Sequence, residues 1–168
     1  MTKKKIELLA PAGDLEKLKI AVDYGADAVY FGGEMFSLRA GAGNLSIEEI
    51  EEGVAYAHSK GVRCHMAMNI FAHNEDIEPL RAYLAKIRHI PVDAFIVSDP
   101  GVITLIKEAM PEAELHLSTQ ANMTNYVTAQ FWHAQGVKRL VMARELTIDE
   151  IRKIRESIPE EMELESFI

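Results

Sequence analysis

Apolar and polar residues along this chain switch repeatedly between two spacings. Short runs rich in β-branched and apolar residues alternate with longer stretches whose apolar positions recur every three or four residues. The short runs are IELLAPAG (6–13), DAVYFGG (27–33), VRCHMAMNI (62–70), DAFIVSD (93–99), ELHLSTQ (114–120), VKRLVMAR (137–144) and MELESFI (162–168). They predict seven strands. The first helical stretch, 14–25, places Leu15, Leu18, Ala21 and Val22 on one face, with Asp14 as N-cap and Gly25 as terminator. Ser46 and Thr147 each precede a glutamate three residues on, at Glu49 and Glu150. Both pairs have the capping-box spacing that opens a helix. The helix after Ser46 runs to Gly61, a third covers 75–90, a fourth opens at Pro100, a fifth covers 125–136, and the sixth follows Thr147.

Strict alternation of strand and helix implies parallel pairing through right-handed crossovers. Two architectures use it. A doubly wound sheet carries a glycine fingerprint after its first strand, whereas the turn here, APAGD, has one glycine. A (β/α) barrel needs eight units and typically ~250 residues. The expected fold is therefore α/β, an incomplete TIM-type (β/α) barrel of about seven parallel strands and six helices. In MELESFI, Glu163, Glu165 and Phe167 alternate with Leu164, Ser166 and Ile168. A chain that stops within a strand is expected to be a barrel cut before its last elements. Open strand edges predict self-association.

In a barrel, alternate strand residues face the lumen. Assigning the more apolar side to the helices leaves Glu7 and Leu9, Tyr30 and Gly32, His65, Ala67 and Asn69, and Val97 and Asp99 facing inward. His116, Ser118 and Gln120, then Arg144, then Glu163 and Glu165, complete that set. Barrel chemistry sits at the C-terminal strand ends. The candidate catalytic residues are Arg144, Glu145, Glu165, His65 and His116; the candidate substrate-binding residues are Asn69, Asp99, Ser118, Gln120 and Asn122. Buried imidazoles beside carboxylates fit acid–base work or a structural polar layer. Arg144 fits a carboxylate or phosphate. Gly32-Gly33 and Gly41-Ala42-Gly43 fit turns or a weak phosphate loop.

Composition narrows the picture. The chain has 168 residues, 48% hydrophobic and 26% charged, which fits one globular domain. A net charge of −8 gives no overall basic excess for nucleic acid. No apolar run approaches the ~20 residues of a membrane span, and the segment before Pro11 is too short for a secretory signal, so a cytoplasmic location without membrane partners is expected. The single cysteine, Cys64, rules out a disulfide framework within the chain and faces outward by parity, as an inert thiol. No metal ligand set stands out, and HExxH, GxSxG and GxxxxGK[ST] are all absent.

The segments ELLAPAGDLEKLKIAVDYGADAVYFGG, LSTQANMTN and RLVMARELT together resemble the collagenase-like peptidase family U32, across Glu7 to Ile168. The resemblance implies a longer protein, with residues 1–168 as a single truncated barrel domain lacking the family's downstream cysteine-rich region. It implies RNA or peptide substrates. RNA-base hydroxylation, on tRNA or rRNA, ranks ahead of a metal-dependent peptidase or collagenase activity and of a non-catalytic binding fragment. It also implies an iron–sulfur cluster in the full-length protein; four cysteines would hold it, and none of this segment's residues are among them. The fragment alone is expected to be inactive. The family's polar strand ends correspond here to Asn69, Asp99, Gln120, Asn122, Arg144 and Glu145.

Overall fold

The computed structural model describes residues 6–38 and 44–168, and the glycines at 41 and 43 lie outside them. Seven strands form one sheet: β1 (Leu9–Pro11), β2 (Ala28–Gly32), β3 (Arg63–Met68), β4 (Ala94–Val97), β5 (Leu115–Leu117), β6 (Arg139–Val141) and β7 (Glu163–Glu165). Six helices lie between them: α1 (Leu15–Asp23), α2 (Ile47–Ser59), α3 (Ile77–Ile87), α4 (Pro100–Ala109), α5 (Tyr126–Ala134) and α6 (Ile148–Glu156). Every strand pair is parallel and the order is β1-β2-β3-β4-β5-β6-β7. A doubly wound sheet reverses its order to put helices on both faces. Without a reversal, right-handed crossovers send every helix to the same face.

The local signals act as their chemistry dictates. The Asp14 carboxylate accepts from the Lys17 amide at 2.7 Å, and both capping boxes are formed. Gly25 and Gly61 take positive φ, 95° and 73°, where a side chain would be strained. Gly32 and Gly33 serve close packing. A Cβ on Gly33 would lie 2.2 Å from the Tyr83 hydroxyl, and one on Gly32 2.6 Å from Ser37 Oγ.

The register fixes the faces. Phe31, Met66, Phe95 and Leu115 form one row across β2 to β5, and Met68, Val97, Leu117, Leu140 and Leu164 the next. These rows pack with Leu18, Ile50, Leu80, Leu84 and Ile106 of the helices. Each fully buried side chain of this size stabilises the fold by roughly 1.5–3 kcal/mol. Val97 thus faces the helices, so the inward assignment of Val97 and Asp99 is corrected: Ile96 and Ser98 share the inward face with Ala67.

Curvature is visible in one hydrogen bond. Arg139 of β6 donates to Glu7, just ahead of β1, at 2.6 Å. In a flat sheet, five interstrand steps would hold these residues ~24 Å apart. The sheet therefore curls into an open barrel, with no ladder joining β7 to β1 among the described residues.

Candidate functional site

The lumen is built in three tiers. At the N-terminal floor, Arg139 is 5% exposed and lies between carboxylates from three directions. It donates to Glu7 at 2.6 Å, to Glu163 at 2.6 and 2.9 Å, and to Glu165 at 3.5 Å. Arg63 donates to Glu114 at 3.0 Å and lies 3.6 Å from Glu7. Burial alone would depress the Arg139 guanidinium, but its bonds to Glu7 and Glu163 outweigh this and raise its pKa. Burial raises that of Glu165 against the pull of Arg139. The His116 bond, aided by Arg63, holds Glu114 down at about 2.

Above the floor, His65 and His116 meet edge to face, ring centroids 4.7 Å apart, both wholly buried. His116 Nε2 pairs with Glu114 at 2.8 Å. Neither ring nitrogen of His65, nor Nδ1 of His116, has a hydrogen-bond partner among the described residues. Burial, helped by His116 and the two arginines, lowers His65 to about 2; burial also lowers His116. Both imidazoles are neutral at pH 7, so His116 donates its Nε2 proton to the ionised Glu114.

At the C-terminal rim the chemistry changes to uncharged groups. Asn69 is 7% exposed; its Nδ2 donates to Gln120 Oε1 at 3.2 Å and Ser118 Oγ at 3.5 Å. Its Oδ1 accepts from the Leu38 amide at 3.3 Å, and its carbonyl accepts from Ser98 Oγ at 3.1 Å. The chain after β5 does not continue as strand. It forms a 3₁₀ turn, Thr119–Ala121, which brings Gln120 back so that Ser118 Oγ also donates to its Oε1. Two bonds on that oxygen fix the carboxamide orientation. Nε2 is left with no protein partner among the described residues, so its two donors are free at the mouth of the lumen.

The remaining candidates scatter. Asn122 ends the 3₁₀ turn in the left-handed region, φ 51°, and is exposed. Asp99 is the N-cap of α4: its Oδ1 accepts from the Val102 amide at 3.0 Å. Arg144 lies beyond the end of β6 and not on its inward face. It is exposed, with its guanidinium 4.6 Å from the Phe167 ring centroid. Glu145 is exposed beside it. The inward arginine of β6 is Arg139, which periodicity misses because residues on both faces of 139–143 are largely apolar. Arg63, Glu114 and Ser98 are also part of the lumen and were not among the candidates.

The residues present do not fit an iron–sulfur cluster. Cys64 is the only cysteine, faces the helices and is wholly buried, and burial pushes its thiol up to about 12. Among the described residues no group of three or more His, Cys, Asp or Glu side chains is arranged to hold a metal ion. No described helix is long and apolar enough to cross a membrane.

Comparison with known proteins adds to this geometry. The profile of peptidase family U32 matches residues 13–168. The tRNA hydroxylation protein P1 of Bacillus subtilis (strain 168) is 48% identical over 165 residues, covering 98% of this chain and 39% of that protein. The 23S rRNA 5-hydroxycytidine synthase of Escherichia coli (strain K12) is 37% identical, covering 91% of this chain and 23% of the relative. The chain thus spans about two fifths or less of these relatives. Among solved structures, the U32 peptidase Mk0906 superposes with a TM-score of 0.73 at 16% identity, covering 99% of this chain and 71% of that one. At that identity the likeness concerns the fold.

Proposed function

The chain belongs to peptidase family U32, and from that premise we propose that it supplies the substrate-holding barrel of a protein that assists hydroxylation of RNA bases. The observation that carries this reading is the fixed Gln120 carboxamide at the rim. A base turned out of its stack is read by hydrogen bonds to its edge. Two oriented amide donors suit a pyrimidine carbonyl oxygen. Arg144, laid over Phe167 and without a charge partner among the described residues, suits the adjoining phosphate. The relatives named for tRNA and rRNA hydroxylation point the same way.

Peptide hydrolysis finds less support. Ser98 donates to a backbone carbonyl and Ser118 to an amide oxygen, so neither hydroxyl faces a base. Cys64 is buried and protonated. The neutral imidazole pair lies beneath the rim groups as their support. Oxygen insertion needs a redox partner. We assign that chemistry to an iron–sulfur cluster held by residues outside this chain.

The test is nucleoside analysis by mass spectrometry of tRNA and rRNA from a strain lacking the gene. A hydroxylated nucleoside should disappear, return with the full-length protein, and stay absent with full-length Gln120→Ala that accumulates normally. Unchanged nucleosides, together with metal-dependent gelatin cleavage by the purified protein, would replace this reading with a peptidase.

A further inference from the structure

We propose that the open cleft beside the rim, between the segments that follow β2 and β3, is a stacking subsite for an unpaired RNA base adjacent to the one held at Gln120. The proposal rests on the RNA reading above and extends it to a second nucleotide. The cleft encloses about 480 Å³ and is lined by Met35, Phe36, Ile70, Phe71, His73 and Asp76 among others. Phe71 is 61% exposed and Met35 45%, so two large apolar side chains lie open to solvent at one spot.

The walls are firm. Phe36 is buried at φ 66°, a backbone conformation that a bulky side chain adopts only when its surroundings enforce it. Its ring packs on Tyr83 with centroids 5.6 Å apart. The Leu38 amide is tied to Asn69 Oδ1, so the segment after β2 is fastened to the end of β3. Asn69 in turn holds Gln120. Phe71 comes two residues after Asn69 in the chain, so Asn69 tethers the cleft to the rim site from both of its walls.

Three features select a base as the occupant. The volume lies within the range of small-ligand pockets, whereas a docked helix, ~10–12 Å across with its side chains, needs a longer groove. An exposed aromatic face beside hydrogen-bonding groups, here His73 and Asp76, is the surface on which unpaired bases stack. The Asp76 carboxylate repels phosphate, so the planar base enters the cleft and the backbone stays outside.

The test uses the purified full-length protein and a fluorescein-labelled oligouridylate, read by anisotropy. Phe71→Ala should weaken binding by roughly five-fold or more, the loss of one base–aromatic stack, and Phe71→Trp should restore it. An oligonucleotide of abasic positions should bind wild type and Phe71→Ala alike. Because the ring is largely exposed, thermal unfolding of both variants should match wild type. If deleting the gene abolishes a hydroxylated nucleoside but Phe71→Ala binds the oligouridylate like wild type, the subsite is wrong and the RNA reading survives. If deletion changes no nucleoside and the protein has no RNA affinity, both fall. Weaker gelatin-peptide binding by Phe71→Ala with unchanged RNA affinity would assign the cleft to a peptide and overturn the proposal.

Discussion

At the floor of the barrel two arginines meet four carboxylates, from Glu7, Glu114, Glu163 and Glu165, in a half-buried layer around the buried Arg139. At the rim, the buried polar groups of Asn69, Ser98 and Ser118 are all neutral, and the one charged neighbour of note, Arg144, is exposed. Both ends are polar, yet the polarity serves opposite ends. Floor charges satisfy one another and span the sheet from β1 to β6, which secures the curl. The rim amides satisfy one another only in part and leave the Gln120 donors free. In barrels generally, chemistry belongs to the C-terminal end and stability to the other. Here the split can be read from which hydrogen-bonding groups are used up.

The largest expected effect lies at the floor. Arg139→Met removes the buried cation that Glu7, Glu163 and Glu165 share and leaves three half-buried carboxylates uncompensated. Breaking a wholly buried pair this way costs about 3–5 kcal/mol; with these carboxylates partly open to water the loss is about 2–3 kcal/mol, read as a lower urea midpoint at pH 7. A variant as stable as wild type would dissolve the distinction between the two ends.

The middle tier adds an acid limb. His65 and His116 are held below the ordinary histidine value of 6.5, mainly by burial. Below pH 6.5 the unfolded chain takes up protons that the fold refuses, so stability falls as pH falls. For His65, held at about 2, the loss by pH 5 is about 2 kcal/mol, and His116 adds to it in the same direction. Glu114, held at about 2, extends the loss in the same direction below its ordinary 4.5. His65→Leu should remove about 2 kcal/mol of the drop between pH 7 and 5 in urea unfolding. Equal stability at the two pH values would show that the imidazoles are solvated and that the lumen is not closed above the floor.

How much of this was legible in the sequence follows from contrast between strand faces. In β3 and β5, polar His65, Asn69 and His116 alternate with Met66, Met68, Leu115 and Leu117, and parity was readable. In β4, Phe95, Ile96 and Val97 are apolar on both faces, and only the register places Ile96 inward. In β6 the same ambiguity drew attention to Arg144 and away from Arg139. The helix caps were plain because each depends on residues three apart. The 3₁₀ turn at Gln120 was not, because it depends on where β5 ends and on the partners Asn69 and Ser118 offer across the lumen. The seven-strand open barrel itself emerges from the alternation together with the missing glycine fingerprint after β1.

The smallest stability effect should accompany a functional one. Arg144 is exposed, and its contact is a cation–π pair with Phe167. Arg144→Ala should leave the unfolding free energy within ~0.5 kcal/mol of wild type, as for surface substitutions generally. If the guanidinium holds a phosphate, the full-length variant should still lose RNA affinity, by a similar factor on every sequence. Its log–log salt slope should fall by about one unit, since one fewer counterion is released. Arg144→Lys separates charge from geometry: a lysine keeps the salt slope but lacks the flat stacking on Phe167. An Arg144→Ala protein with full affinity and an unchanged slope would move the phosphate contact elsewhere on the rim. A destabilisation comparable to Arg139→Met would mean that this arginine belongs, despite its exposure, to the framework and not to the site.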